Sequence, residues 1–443
     1  MIKALTKIIL YFALILNFTS CQKCNTSYIN IFKIDWITSS ELQSEYYGLD
    51  RLKHFYNKLK LLEQAKINKV RILQFGDSHT ACDFLSGEIR RLLSDRFGSG
   101  GPGFIYIGKP WRWYYHTVVD SEEKNFIKTT FHYKGNNNNK LNKNIKVWKH
   151  YRALYSQNHK GFNFSYGLGG VCSIGKGENS DLTINLKNSY FTYLEFWYLK
   201  YFNSGNLELF TSESDKPINI PTINRYITLG RHIQEFKTPQ SKVTLKLTND
   251  KPVALFGFVL ENANKGIVLD TLGLDGAKFT DLLNQNWSKS LEQHVRWRNP
   301  DLIIIAYGTN SVYNSMLSPR LYEREFRRLI RKIKKVTNYK CDIIILGPPD
   351  TNHPTLAQKN KSQLDESLWF TPEKLHEIIK AQISVAKSER VTFINQYAIM
   401  GGDQSMHNFV INGLAVEDHI HLKQIGYQKI AQRVLEIILK NYR

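Results

Sequence analysis

Gly76-Asp77-Ser78-His79 follows a short apolar run, Val70 to Phe75, that reads as a buried strand. A helical pattern with Leu85, Ile89, Leu92 and Leu93 on one face comes next. A serine on a tight strand-to-helix turn has its hydroxyl pushed out at the carboxyl edge of a sheet. Free N–H groups at the helix start favour negative charge developing there. Ser78 is therefore a candidate nucleophile, and the alternative is a turn in which Asp77 and Ser78 merely cap the helix. Three later segments also sit at strand ends or helix starts: Leu274-Asp275-Gly276-Ala277, Ala306-Tyr307-Gly308-Thr309-Asn310 and Glu417-Asp418-His419-Ile420-His421. With the first they supply a serine, a glycine amide, an asparagine amide and an Asp-x-x-His pair, the groups that ester cleavage by a serine needs.

The elements that must position these groups follow an α/β rhythm. Leu52, Phe55, Tyr56, Leu59 and Leu62 fall at helical spacing before the first strand. Further strands are expected at Ile267–Leu269, Leu302–Ala306, Ile343–Leu346 and Val391–Ile394. Helices are expected to open at Ser318-Pro319 and at Thr371-Pro372, and the last to run over 423–439. This alternation predicts a parallel, three-layer α/β sheet. Between 109 and 262 the texture changes to short alternating runs such as Leu182-Ile184-Leu186 and Val243-Leu245-Leu247, which predict a β-sandwich of jelly-roll type. Trp111, Trp113, Tyr114 and Tyr115 are dense enough for a sugar-stacking face, and core packing is the competing role. Gly135 to Lys140 reads as an exposed low-complexity loop.

Gly76-Asp77-Ser78, Gly276, Gly308-Thr309-Asn310 and Asp418-x-x-His421 resemble, in order, the four blocks of SGNH (GDSL-type) hydrolases. The wording Gly76-Asp77-Ser78-His79-Thr80-Ala81, Tyr307-Gly308-Thr309-Asn310 and Met400-Gly401-Gly402 is similar to the bacterial peptidoglycan O-acetylesterase branch, which carries a carbohydrate-binding-like sandwich inserted after its first helix. The resemblance covers residues 66–108 and 263–443 by motif, and the insertion by position and composition. It implies an SGNH-type core in two parts, 46–108 and 263–443, interrupted by an inserted domain at 109–262. Asp275 stands where that branch has Asn, and Cys82 where it has Gly.

On this basis Ser78, His421 and Asp418 are expected as nucleophile, general base and orienting carboxylate. The Ser78 and Gly276 N–H groups and the Asn310 amide are expected to form the oxyanion hole. His419 is the alternative base, and the family spacing favours His421. His79 and Asp77 are expected to brace the turn, and Asp270 and Glu417 to be structural or solvated. No cofactor is expected, and no His/Cys/Asp/Glu cluster has metal spacing. The implied activity is removal of O-acetyl groups from an envelope polysaccharide, first of all peptidoglycan. The alternatives are O-acetyl transfer, another glycan, or a glycan-binding lipoprotein without catalysis.

Lys3 and Lys7 precede an apolar run from Ile8 to Phe18 and then Thr19-Ser20-Cys21, which reads as a lipoprotein signal over 1–20, a lipid-bearing Cys21 and a tether over 21–45. Plain signal cleavage is the alternative for Cys21 and Cys24. The implied location is the cell envelope, anchored to a membrane. The 443-residue chain carries 60 Lys and Arg against 39 Asp and Glu, a formal charge of +21 that suits anionic surroundings. With neither zinc-finger spacing nor an RNP-like motif, nucleic acid is disfavoured against acidic lipid or glycan. Cys82, Cys172 and Cys341 are too scattered for a disulfide framework and read as small core residues.

Overall fold

The structure, a computed structural model, describes residues 37–130, 166–314, 316–354 and 369–443. Cys21, Cys24 and the Gly135–Lys140 tract lie outside the described residues.

Five strands with continuous apolar runs lie side by side and parallel, in the order Thr392–Asn395, Asp342–Gly347, Leu302–Ala306, Lys69–Gly76 and Gly266–Gly273. Leu302–Ala306 is buried along its whole length, as a strand covered on both faces must be. One face carries Val70, Ile72, Leu269 and Ile304, which share a core with Phe55 and Leu59 of helix Lys53–Glu63, Ile89 and Leu93 of helix Phe84–Phe97, and Ile430 and Val434 of helix Gln424–Leu439. On the other face, Phe75 and Ile303 border a small cavity with Leu291 and Val295 of helix Gln285–Arg298 and Leu329 of helix Pro319–Val336. These are three layers.

The sheet is not wholly parallel. Tyr46–Tyr47 adds an antiparallel edge beside Thr392–Asn395, a two-residue strand too short to announce itself by periodicity. The two Pro-marked helix starts also differ. Ser318 accepts a hydrogen bond from Leu321 N and caps its helix. Thr371 instead gives its hydroxyl hydrogen to Asp350, and helix Glu373–Glu389 starts after an uncapped Pro372.

Between Gly103 and Glu261 the described strands form two antiparallel sheets. One orders Ser214–Ile220, Leu207–Thr211, Lys242–Leu247, Asp181–Leu186 and Val119–Lys124. The other orders Thr228–Gln240, Phe191–Lys200, Val253–Glu261, Val171–Gly175 and Phe126–Thr130, with Gly103–Ile105 also paired to Val253–Glu261. Leu182, Ile184, Leu209 and Leu245 of the first share one core with Leu194, Phe196, Leu255 and Phe258 of the second. Asp181–Leu186 alternates buried and half-buried residues, as a sheet with one wet face does. Val253–Glu261 does not alternate and is buried throughout. Its neighbour Trp197 stacks on His294 of helix Gln285–Arg298 at 4.5 Å, so this sheet's second face is covered as well.

A buried ion network joins these sheets to the parallel one. Arg298 grips Asp270 through Nε (2.6 Å) and Nη2 (3.0 Å) and reaches Glu261 through Nη1 (2.9 Å). Arg71 makes a second fork onto Glu261 at 2.8 and 2.9 Å. Phe104 N donates to Asp270 Oδ1 at 2.9 Å. Asp270 is thus fully buried and paired, with no solvated side.

Candidate active site

The Lys69–Gly76 strand stops where the chain must double back over its own end. A Cβ on Gly76 would overlap the Thr80 side chain, so only glycine lets the short helix Ser78–Ala81 fold onto the strand. Asp77 caps that helix by accepting from His79 N at 3.1 Å. Burial pushes the Asp77 carboxyl up to about 7, in keeping with a bracing role. Ser78, the first helical residue, is 7% exposed.

Register brings the next two segments to the same rim. Gly76 is paired with Gly273 on one side and Ala306 on the other. Gly276 therefore lies three residues beyond one neighbouring strand end, and Asn310 four beyond the other. Gly276 has φ +70°, a left-handed conformation that favours glycine. Asn310 Nδ2 donates one hydrogen to Ala277 O at 3.0 Å, which ties the second loop to the first, and carries a second hydrogen besides.

The fourth segment comes from the far end of the chain. Val416 N donates to His421 O (2.8 Å) and Lys423 N to Leu414 O (2.9 Å), closing a tight loop ahead of the last helix. Within it Asp418 Oδ1 accepts from the Ile420 and His421 amides at 2.9 Å each, and its Oδ2 takes the His421 Nδ1–H at 2.7 Å. The two-residue gap of Asp-x-x-His is what lets one carboxylate hold both the turn and the ring. His421 Nε2 then accepts from Ser78 Oγ at 2.9 Å. Serine hydroxyl, imidazole and carboxylate form one hydrogen-bonded line.

The electrostatics follow from that line. The Asp418 hydrogen bond lifts the His421 imidazolium above its ordinary value against the opposing effect of burial, and Asp77 and Asp275 add to the lift. Burial would raise Asp418, but bonds from the His421 ring and the two amides hold it down to about 2. His79 lies beside this line, its ring centroid 5.3 Å from that of His421 and its Nδ1 2.9 Å from Tyr427 Oη. Burial lowers His79 to about 3, so it stays neutral beside the His421 ring, whose own value is raised.

His419 points elsewhere. At φ +56° its side chain turns away, stacks on Trp369 with centroids 3.4 Å apart and meets His407 Nδ1 at 2.9 Å. Sequence reasoning missed the parts that hold this loop. Asn352 N donates to His419 O at 3.0 Å, and Asp350 accepts from Met406 N at 2.9 Å and Asn352 Nδ2 at 3.1 Å. The one signal for them was Pro348-Pro349-Asp350 directly after a strand. Also missed was Asp83, which bonds Arg90, Thr117 and Thr271 in a buried cluster that follows the Ser78–Ala81 helix. Among the described residues, no group of His, Cys, Asp or Glu could hold a metal ion.

The architecture is a three-layer α/β core with the Ser78–His421–Asp418 hydrogen-bonded line at the carboxyl edge of its parallel strands. A solved structure of a peptidoglycan O-acetylesterase is similar to this chain, with a TM-score of 0.70 and 20% identity, over 90% of this chain and 99% of that one. The chain has that fold. Much weaker likenesses are to an acetyl xylan esterase (TM-score 0.29, 16% identity, 39% of this chain and 81% of that one) and to a family two carbohydrate esterase from Cellvibrio japonicus (TM-score 0.26, 9% identity, 73% and 99%). No protein-family model matches the chain, and no curated protein matches it by sequence.

Proposed function

We propose that this chain is an SGNH-type serine esterase that removes O-acetyl groups from an envelope polysaccharide, with peptidoglycan the first candidate. The observation that carries the proposal is the Ser78–His421–Asp418 line, at 2.9 and 2.7 Å, at the rim of three adjacent parallel strands. Ser78 Oγ attacks the acetyl carbonyl carbon while its proton passes to His421 Nε2, and Asp418 stabilises the resulting imidazolium. The carbonyl oxygen becomes an oxyanion facing the N–H groups of Ser78 and Gly276 and the Asn310 amide. Collapse breaks the bond to the sugar oxygen, which leaves with the proton from His421. Water, deprotonated by the same ring, then attacks the acyl-serine and releases acetate.

The similar solved structure, a peptidoglycan O-acetylesterase, supports this substrate class, and a formal charge of +21 suits an anionic glycan. We assign the antiparallel block, 109–262, to an inserted jelly-roll domain that positions the polymer. The Lys3 to Cys21 segment supports export and a lipid anchor on Cys21 in the cell envelope. No helix among the described residues is long and apolar enough to cross a membrane.

Acetate release from O-acetylated peptidoglycan and from acetylated xylan, by wild type and Ser78→Ala side by side, tests the reaction. An added acceptor glycan that gains acetyl groups would instead mark a transferase. Binding of the polymer without release of acetate from any ester would leave only the glycan-binding reading.

Asn310→Ala is expected to lower kcat by about 10²–10³-fold with little change in KM, since its free N–H meets charge that exists only in the transition state. A change confined to KM would remove Asn310 from the oxyanion hole. The raised His421 sets the pH dependence. Only the neutral ring accepts the Ser78 proton, so kcat/KM should fall as pH drops through a value above 6.5, the ordinary figure for histidine. Stability runs the other way: the contribution from His421 is full below the unfolded value and is lost as pH rises through the raised one. Asp418→Asn removes the main cause of the lift and should move the acid limb to lower pH while cutting the plateau by about 10⁴-fold. An unmoved limb would show that another group sets it.

A further inference from the structure

The aromatic run before the Val119–Lys124 strand divides into two kinds of side chain. Trp111 and Tyr114 pack edge-on against buried Tyr106, each with centroids 5.5 Å from its ring. Core packing accounts for them. It does not account for Trp113 and Tyr115, which are 43% and 39% exposed.

Two separate paths seat this segment at the rim that carries Ser78. On the first, Tyr106 Oη donates to Gly273 O at 2.8 Å, the strand-end residue paired with Gly76 and three before Gly276. On the second, the Tyr115 ring lies 5.4 Å from Phe84, and Phe84 lies 6.2 Å from Tyr427. Tyr427 holds His79, which stands beside His421. Basic groups flank the exposed rings. Lys187 Nζ sits 5.8 Å from the Tyr115 ring centroid and 3.0 Å from Asp120 Oδ1, and Arg112, next in sequence to Trp113, is exposed.

We propose that Trp113 and Tyr115 form a stacking platform for a sugar ring of the polysaccharide whose ester lies at Ser78, with Arg112 favouring an acidic chain. The flat face of a pyranose presents weakly positive C–H groups that match the negative face of an aromatic ring. Binding there fixes the polymer remote from the scissile bond and orients the ester on Ser78. A small acetyl ester such as 4-nitrophenyl acetate carries no sugar ring to stack there. This inference rests on the esterase reading of the same site.

The test compares kcat/KM on O-acetylated peptidoglycan with kcat/KM on 4-nitrophenyl acetate. Trp113→Ala combined with Tyr115→Ala is expected to lower the ratio of polymer to small-ester activity about tenfold. Replacing both residues by Phe, which keeps the rings, is expected to restore most of it. An unchanged ratio, or parallel loss on both substrates, overturns the platform. Failure of the esterase reading looks different, because wild type then turns over neither substrate. In that case, and if peptidoglycan is not turned over, co-sedimentation with insoluble peptidoglycan decides. The Ser78→Ala protein should sediment with it, and the triple variant lacking both rings should sediment several-fold less. Equal sedimentation of the two overturns the proposal.

Discussion

Ser78→Ala is expected to cut turnover of an acetyl ester by about 10⁵-fold or more while shifting the melting temperature by no more than about 2 °C. The hydroxyl makes one hydrogen bond that matters to the reaction, to His421 Nε2 at 2.9 Å, and His421 keeps its place through Asp418 and the loop without it. Removing one oxygen from a nearly buried side chain opens too little space to disturb the strand end. The residual rate should be set by the oxyanion donors alone. Turnover of 4-nitrophenyl acetate and a thermal melt on the same preparation check both halves. Substantial activity in this variant would refute the serine mechanism, since no other hydroxyl is bonded to the His421 ring among the described residues.

Arg298→Met should cost about 3–5 kcal/mol of stability, among the largest single effects expected in this chain. Arg298 is 2% exposed and satisfies both oxygens of fully buried Asp270 as well as Glu261. Without it a carboxylate remains buried with its main partner gone, where water cannot reach it. Chemical denaturation should show the loss, and Arg298→Met with Asp270→Asn should recover part of it by removing the stranded charge. The network also sets an acid limit. Burial would raise Glu261, but Arg298 and Arg71 hold it down to about 2 against an ordinary 4.5. Its contribution is therefore full above 4.5 and lost as pH falls through about 2. Wild type should lose stability in that window more steeply than the variant. Equal slopes would place the acid sensitivity in other carboxylates.

Where one rule decides the local structure, the sequence was enough. Leu302–Ala306 falls where its apolar run lies, because a strand buried on both faces must be continuously apolar. Ser318-Pro319 opens a helix because the serine hydroxyl accepts from Leu321 N and caps it. Thr371-Pro372 looks the same in sequence, yet the Thr371 hydroxyl is taken by Asp350, a residue twenty-one positions away. Such competition is tertiary and leaves no local trace. The Tyr46–Tyr47 edge was hidden for another reason, since two residues carry no period.

The candidate site divides the same way. Ser78, Gly276, Asn310 and His421 each sit at a strand end or a tight loop marked by glycine or by the Asp-x-x-His gap, so their types and positions were legible. Their supports were not. His79 rests on Tyr427, 348 positions later, and Asp83 reaches Thr271 across 188. Nothing within either segment reveals those bonds.

The wide span between hydroxyl and imidazole has a consequence for timing. A polypeptide made or threaded from its amino end presents Ser78 long before His421, 343 positions behind it, has emerged. Until helix Gln424–Leu439 docks and brings its preceding loop to the strand ends, Ser78 lacks its hydrogen-bond partner His421, the base of the proposed mechanism. On the proposed mechanism, nascent copies are thus inert toward esters they meet on the way. The Ser78–His421 hydrogen bond can form only once the segment carrying His421 is in place.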